Sequence, residues 1–267
     1  MFEYDALAKY YDLFDIRTID IQFWKEMARQ LGGPILELSC GTGRLTFPIA
    51  EECENITGID LSKKMLTIAK KKLKEYPKTI QHKINLIHGN TIQFNIKNKF
   101  RTIFCPEAFW AVTDAEQASM MESIKSHLEP GGHLVMSISN FHERTEDIKF
   151  QHLKLCKYYP QYGFTVTRQN FVEGKKGTRT DRIIHFLDRI YENGTIKRIV
   201  TERVERQRSK QELAEILTTY GFEIQEVYGE YDKTVWSSDT KWIIVVARLL
   251  KNTPFNRLKI LINNRLS

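Results

Sequence analysis

Residues 35–60 constrain the fold of this chain more than any other stretch. An apolar run, Ile35–Leu38, leads into a loop of small residues that ends at Gly43, and a second apolar run ends on Asp60. Such a loop lets the backbone pass close to a ligand, and the acidic residue accepts hydrogen bonds from ribose hydroxyls. The pattern therefore predicts a nucleotide-binding half of a doubly wound α/β sheet.

The loop lacks one part of the dinucleotide-binding fingerprint. The third glycine of that fingerprint would stand three residues after Gly43, where the chain has Thr46. Because that glycine permits close packing of helix and strand beside a pyrophosphate, its absence weakens the dinucleotide interpretation. A nucleoside without phosphates fits the loop better.

Four short motifs follow one another along the chain, at residues 37–43, 58–62, 88–91 and 129–135. Together they resemble the motifs of the class I S-adenosylmethionine-dependent methyltransferases, and the resemblance covers roughly residues 4–249. It implies a Rossmann-like, seven-stranded doubly wound sheet and S-adenosylmethionine as the cofactor. The first motif would wrap the methionine end of the cofactor, the second would hold the ribose, and the third would contact adenine.

The resemblance also implies which residues bind the cofactor. Asp60 would hold the ribose, Asn90 would contact adenine, and Tyr11 would close over the methionine end from a mobile N-terminal segment. The full predicted set is Tyr11, Glu37, Ser39, Cys40, Gly41, Gly43, Arg44, Asp60, Leu61, Met65, Gly89, Asn90, Thr91 and Pro106.

Two residues depart from the family pattern. Ser39 stands at the first loop glycine of the family, so we expect its backbone to stay within the angles that are allowed for an L-residue. Asn90 stands where aspartate is more usual. Its amide oxygen can still accept from the adenine amino group, but without charge assistance the contact should be weaker.

Two helix starts and one helix stop are marked by local signals. Thr113 with Glu116, and Ser209 with Glu212, have the spacing of capping boxes. Apolar residues at helical spacing predict another helix from about residue 20 to Leu31, which the sequence Gly-Gly-Pro then stops.

The alternation of strands and helices changes in the second half of the chain. Turn signals at residues 173–177 and at Asn193-Gly194 predict an antiparallel meander over residues 164–208. Such an insertion resembles small-molecule methyltransferases of the glycine, amino-sugar and natural-product type. The predicted units are an N-terminal cap segment and helix (1–34), a cofactor-binding core (35–144), an inserted β lid over the acceptor site (145–208), the last helix and closing strand pair (209–249) and a basic tail (250–267).

Ligands of open α/β sheets bind beyond the carboxyl ends of the strands, which directs attention to the residues that follow each strand. His142 is the first candidate for a base because the unperturbed pKa of histidine lies near neutrality, although a surface histidine at a helix start is an equal alternative. Glu107 would accept from a substrate amine or hold the amino group of the cofactor. Tyr11, carried over from the resemblance, completes the catalytic set.

Aromatic residues near these positions are candidates for the acceptor pocket. Aromatic faces suit a cationic or planar substrate, although a side chain of this kind taken alone is more often part of the core than of a pocket. The predicted pocket residues are Trp24, Phe109, Trp110, Phe141 and Trp236.

Composition limits the remaining function classes. The net charge of +7 includes four cationic residues of the tail after residue 250, and other basic runs are interleaved with acids. This distribution of charge argues against nucleic acid as a partner.

The four cysteines are scattered, which predicts neither a metal site nor disulfides. No apolar run approaches a membrane span and no secretory signal begins the sequence, so we expect a cytoplasmic protein, monomeric or homodimeric.

These observations predict a methyltransferase that acts without metal on a small molecule or short peptide, with an amine favoured over a hydroxyl. An RNA methyltransferase is an alternative, favoured by the basic tail. A protein that binds the cofactor without catalysis is another, because Ser39 and Asn90 depart from the family pattern.

Overall fold

The computed structural model describes residues 3–14, 17–109, 113–140 and 146–251. The strands are β1 (Ile35–Leu38), β2 (Ile56–Asp60), β3 (Ile84–His88), β4 (Phe100–Pro106), β5 (Leu128–Ser139), β6 (Ile148–Tyr159), β7 (Phe164–Gly174), β8 (Thr180–Tyr191), β9 (Ile196–Arg206), β10 (Phe222–Tyr228) and β11 (Trp242–Leu249). The α-helices are α1 (Glu3–Leu7), α2 (Tyr11–Phe14), α3 (Ile21–Leu31), α4 (Thr46–Ala50), α5 (Lys63–Leu73), α6 (Lys78–Gln81), α7 (Asp114–His127) and α8 (Lys210–Thr219).

Seven strands form the main sheet in the order β10-β11-β5-β4-β1-β2-β3. Strands β1 to β5 pair in parallel, whereas β11 pairs antiparallel with both β5 and β10. The chain runs outward from β1 to β3 and then returns to the other side of β1 with β4. This reversal creates the crevice in which open α/β sheets bind ligands. The predicted seven-stranded, doubly wound sheet is confirmed.

Helices cover both faces of this sheet. On one face, α7 and α8 bury Met120, Ile124 and Leu217 against the strands. On the other face, α3 and α4 bury Trp24 and Ile49. Both layers follow from apolar residues at helical spacing, whose burial removes one face of each helix from water. None of the helices in the described ranges has the length and apolar character needed to cross a membrane.

The local signals for helix ends are confirmed. Thr113 accepts from the backbone N–H of Glu116 at the start of α7, and Ser209 does the same for Glu212 at the start of α8. Each glutamate side chain accepts in return from the backbone N–H of its capping residue. Helix α3 ends at Gly32, whose φ of +77° is favourable only for glycine.

A second, four-stranded antiparallel sheet has the order β6-β7-β8-β9 and is called here the lid sheet (residues 148–206). The tight connection from β8 to β9 contains Asn193-Gly194, as its sequence indicates. The sheet begins earlier than the predicted meander at residue 164, because β6 precedes it. Most side chains of this edge strand are exposed, so its sequence lacks the alternation that marks a half-buried strand.

The N-terminal segment, residues 3–14, contacts both sheets. Leu7 packs in an apolar cluster with Tyr159 and Leu187 of the lid sheet. Toward the main sheet, the Thr42 hydroxyl donates to Asp12 Oδ1 at 2.6 Å. The segment therefore lies along the boundary between the lid sheet and the loop that follows β1.

Candidate active site

A cavity of about 630 Å³ lies between the carboxyl ends of β1, β2 and β4, the N-terminal segment and the lid sheet. The structure brings most of the predicted cofactor residues and Glu107 to its wall. Those that line it are Tyr11, Glu37, Ser39, Cys40, Gly41, Arg44, Asp60, Leu61, Met65, Asn90, Thr91, Pro106 and Glu107. The loop after β1 and the ends of β2 and β4 therefore converge on one space.

The loop after β1 turns through a left-handed residue. Ser39 has φ +59°, which lies in the small left-handed region that is allowed for L-residues but uncommon among them. The turn is fixed on both sides, because Cys40 N donates to Ile59 O at 3.1 Å and Gly43 N donates to Cys40 O at 2.9 Å. These contacts stabilise a conformation that serine otherwise seldom adopts.

Asp60 holds two backbone segments at the end of β2. Its Oδ2 atom accepts from Gly41 N at 2.8 Å, and its Oδ1 atom accepts from Ser62 N at 2.7 Å. Burial raises the pKa of this carboxyl, while the two N–H donors oppose that rise. The carboxylate is thus fixed in direction at the wall of the cavity and ties the glycine loop to the start of α5.

Asn90 uses its amide oxygen in a local turn, since Oδ1 accepts from Ile92 N at 3.0 Å.

Arg44 forms a bidentate ion pair with the buried carboxylate of Asp20, at 2.7 and 2.8 Å. The partner of Arg44 lies just before α3, so this ion pair ties the loop after β1 to the start of that helix.

Glu37 is buried at the base of the cavity. Thr46 Oγ1 donates to its Oε2 atom at 2.5 Å. Burial raises the pKa of Glu37 to about 8, and the hydrogen bond from Thr46 acts against the rise. A cation beside this carboxyl would stabilise its ionised form.

We expect Glu37 to make the cofactor-free protein less stable as the pH rises. The unfolded chain loses this proton near the ordinary glutamate pKa of 4.5 and the folded protein loses it near 8, so the folded state binds more protons between these values. The free energy of unfolding should therefore fall across that window by at most about 1.4 kcal/mol per pH unit from this group. Denaturant unfolding from pH 5 to 8 measures it, and Glu37→Gln should flatten the slope. An unchanged slope in the variant would contradict the assignment.

Glu107 follows β4 in a left-handed conformation, with φ +52°. Its backbone N–H donates to Ser137 O and to Ser137 Oγ, both at 3.0 Å. Arg17 Nη1 donates to Glu107 Oε1 at 2.5 Å, and the Tyr231 hydroxyl lies 3.5 Å from the same oxygen. Burial raises the pKa of this carboxyl, and Arg17 acts against the rise. The backbone of Glu107 is therefore held by the neighbouring strand β5, and its carboxyl group is held at the wall of the cavity by Arg17.

Three of the predicted pocket aromatics do not line the cavity. Trp24 is fully buried between Phe23 and Phe104 on the face of α3 that packs on the sheet. Phe109 is buried beneath the guanidinium of Arg208, and Trp236 lies beneath the ammonium of Lys210. The predictions for these three residues are corrected, because their large apolar surfaces are covered by the core or by long cationic side chains.

Two of the predicted cofactor-binding glycines pack closely against side chains behind the wall of the cavity. A Cβ atom on Gly43 would lie 2.5 Å from the Phe47 ring, and one on Gly89 would lie 2.7 Å from Ile59 Cδ1. Both positions therefore allow close packing rather than lining the cavity. His142, Trp110 and Phe141 lie outside the described residues.

The lid sheet contributes a group of polar residues to the cavity that the sequence did not single out. They are Lys154, Arg168, Asn170, His185 and Arg203. These residues could have been found from the alternation of side chains between the two faces of β7, β8 and β9, together with the strand register that the turns fix. Arg17 of the segment before α3 and Trp242 of β11 also line the cavity without having been predicted.

His185 lies at the centre of this group. Its Nδ1 atom is 2.8 Å from Asn170 Oδ1, the residue directly opposite on β7. Burial lowers the pKa of His185 to about 3, and the charges of Arg203 and Arg168 add to the effect. The ring is therefore neutral at physiological pH. If Nδ1 donates to the amide oxygen, the lone pair is on Nε2.

The family model described as "Methyltransferase domain" matches residues 35–132. A putative methyltransferase of Bacillus subtilis, YqeM, is 24% identical over 235 residues, 85% of this chain and 89% of that protein. An uncharacterised methyltransferase of Bacillus mycoides is 29% identical over 148 residues, which cover 52% of this chain. That match spans 66% of the relative, slightly less than two thirds of its length.

Solved structures share the fold over nearly the whole chain. The CcbJ methyltransferase of Streptomyces caelestis has a TM-score of 0.78 at 20% identity, covering 92% of this chain and 97% of that one. The glycopeptide N-methyltransferase MtfA has a TM-score of 0.60 at 20% identity, covering 88% and 92%. The chain therefore contains a methyltransferase domain at residues 35–132, and its motif order and seven-stranded sheet agree with the resemblance to the class I S-adenosylmethionine-dependent methyltransferases.

Proposed function

We propose that the protein is an S-adenosylmethionine-dependent methyltransferase, and that it methylates an amine of a small molecule or short peptide that binds between the cofactor loop and the lid sheet. The observation that carries the proposal is a cavity whose walls come from both sheets. Its volume is typical of small-molecule sites, and the acceptor must share it with the cofactor. The name of one structural relative, a glycopeptide N-methyltransferase, supports an amine as the acceptor atom.

The residues on the main-sheet side suit S-adenosylmethionine. A Cβ atom on Gly41 would meet nothing within 4 Å, so the loop presents bare backbone to the cavity. Glu37, Asp60 and Glu107 supply carboxyl groups on this side, which complement a ligand that carries a sulfonium and an ammonium. We infer that Asp60 accepts from the ribose hydroxyls and that Glu37 faces the methionine end.

Bound S-adenosylmethionine supplies an activated methyl group, so the protein mainly has to align the acceptor and exclude water. Alignment of this kind contributes about 7–11 kcal/mol of barrier reduction in favourable cases. The lid sheet and the N-terminal segment with Tyr11 enclose the space in which this alignment occurs.

An amine that binds as an ammonium must lose a proton before its lone pair can attack the methyl group, and we propose Glu107 as the group that takes this proton. Its carboxyl lines the cavity, and its raised pKa brings its basicity closer to neutral pH. His142, the first candidate from the sequence, remains a second proposal for this role.

Transfer of isotope-labelled methyl from S-adenosylmethionine into a host extract tests the proposal. We expect label in the small-molecule or peptide fraction, where mass spectrometry can identify the product and the methylated atom. An Asp60→Ala protein serves as the control for background transfer. Label that disappears on ribonuclease treatment would establish RNA as the acceptor instead. Cofactor binding without any labelled product, even in extracts from several growth conditions, would favour a non-catalytic binder.

A further inference from the structure

We infer that the lid-sheet side of the cavity is a subsite for an anionic group of the acceptor, a carboxylate or a phosphate, held by Lys154, Arg168 and Arg203. The inference rests on the proposed function in one respect, namely that the acceptor occupies this cavity. It narrows the substrate class to amines that also carry a negative charge.

Strand register brings the two arginines to the same face of the lid sheet, on either side of His185. His185 pairs directly with Asn170 on β7 and with Thr201 on β9. Because residues two apart on a strand share a face, Arg168 and Arg203 flank His185 diagonally from its two neighbouring strands, at the separation of about 7–8 Å that is usual for diagonal neighbours. Two guanidinium groups therefore stand on the same face, one on each side of a neutral imidazole.

Lys154 joins this face through an irregularity of β6. The register between β6 and β7 shifts between Leu153 and Leu155, which leaves Lys154 as the extra residue of a bulge. Bulges re-aim a side chain relative to regular alternation, and here the lysine lines the cavity. The third cation thus reaches the cavity from an edge strand that is otherwise mostly exposed.

The charged side chains on the lid-sheet wall of the cavity are all positive among the described lining residues. Among the described lining residues, the lid sheet contributes these three cations and no carboxylate. Arg203 pairs with Glu205 and donates to the Tyr4 hydroxyl at 3.1 Å. These contacts fix the orientation of its guanidinium group. Two acidic residues of the lid sheet pair instead with arginines outside the lining, Asp188 with Arg198 and Glu202 with Arg182.

The cations of the wall also disfavour one another. The pKa of the Lys154 ammonium is lowered by burial and then by the charge of Arg168. The same arginine lowers the pKa of His152 and of His185. An anion placed among these groups would offset this repulsion, and guanidinium groups bind carboxylate and phosphate oxygens in pairs. The carboxyl groups on the main-sheet side favour the positively charged cofactor on that side of the cavity.

Binding of simple anions tests the subsite. Protein loaded with S-adenosylhomocysteine is titrated with inorganic phosphate, pyrophosphate and succinate by calorimetry. We expect at least one of these anions to bind the parent, and Arg168→Gln and Arg203→Gln each to weaken that binding roughly 10- to 100-fold. Arg182→Gln is the matched control, because Arg182 lies on β8 of the same sheet, outside the lining of the cavity. No anion binding by the parent, or equal weakening in the control, would overturn the inference.

Methyl transfer to matched pairs of amines separates this inference from the proposed function. Each pair contains an amino acid and its methyl ester, or a phosphorylated amine and its unphosphorylated form. We expect a higher kcat/KM for the anionic member, by about tenfold or more, and loss of this preference in Arg168→Gln. If the preference appears only within the carboxylate pairs, the subsite binds a carboxylate. If it appears only within the phosphate pairs, the subsite binds a phosphate. Equal turnover within both kinds of pair would overturn the subsite and leave the proposed function intact. Anion binding without methylation of any amine would contradict the proposed function and leave the subsite intact.

Discussion

Replacement of Asp60 by alanine is expected to weaken S-adenosylmethionine binding by roughly 100-fold or more. The carboxylate fixes the glycine loop through Gly41 N and the start of α5 through Ser62 N. In the proposed complex it also accepts from the ribose hydroxyls. Each hydrogen bond to a charged group contributes about 1.5–3 kcal/mol, so the loss of two is sufficient for this effect. Equilibrium dialysis with labelled cofactor measures the dissociation constant directly.

Two further variants make this result interpretable. Asp239→Ala removes an exposed carboxylate that does not line the cavity and should leave cofactor affinity unchanged. Asp60→Asn keeps an acceptor oxygen but loses the charge, so we expect an intermediate affinity. Thermal unfolding of each variant shows whether it is folded at the assay temperature. If a folded Asp60→Ala protein bound the cofactor as tightly as the parent, the location of the cofactor site would be wrong.

The main sheet and one side of the cavity were predictable because their signals are local. Strand β1 was predicted at its observed bounds, since an apolar run meets a loop of small residues. The capping boxes at Thr113 and Ser209 depend on contacts three residues apart. The acidic end of the second apolar run selected Asp60, and the rule that ligands bind beyond strand ends selected Glu107. The fold brings both residues to the same cavity.

The other side of the cavity depends on contacts that are distant in sequence. Arg168, His185 and Arg203 come from three strands, and only their register places them on one face. In the sequence they stand among acids such as Asp188 and Glu202, which pair with arginines that do not line the cavity. Composition alone therefore suggested a balanced, solvated stretch, and the one-sided charge became visible only with the pairing of the strands.

Trp24 and Ser39 show two other limits. A tryptophan at helical spacing has the same sequence signal whether it walls a pocket or fills a core, and the orientation of α3 on the sheet decides between them. Ser39 adopts a conformation that its residue type disfavours, because hydrogen bonds from neighbouring loop residues stabilise it. Both outcomes depend on tertiary contacts that override local preference.

Replacement of Glu107 by glutamine has the second large expected effect. The amide keeps the shape of the side chain and an acceptor for Arg17, but it cannot take a proton from the acceptor amine. Loss of a positioned base lowers the rate by about 10²- to 10⁴-fold, so we expect a decrease of this size in kcat/KM for the acceptor. Steady-state kinetics with the acceptor identified by labelled methyl transfer measure it.

The kinetic constants separate the two roles considered for Glu107. If the carboxylate serves as the base, kcat falls while the dissociation constant for S-adenosylmethionine changes little. If it holds the amino group of the cofactor, affinity for the cofactor falls and saturating cofactor restores much of the rate. Glu223→Gln, an exposed glutamate on β10, controls for loss of a negative charge. Because Ser137 holds Glu107 N through its carbonyl and hydroxyl oxygens, Ser137→Ala should lower kcat in the same direction but less, through displaced geometry rather than lost basicity.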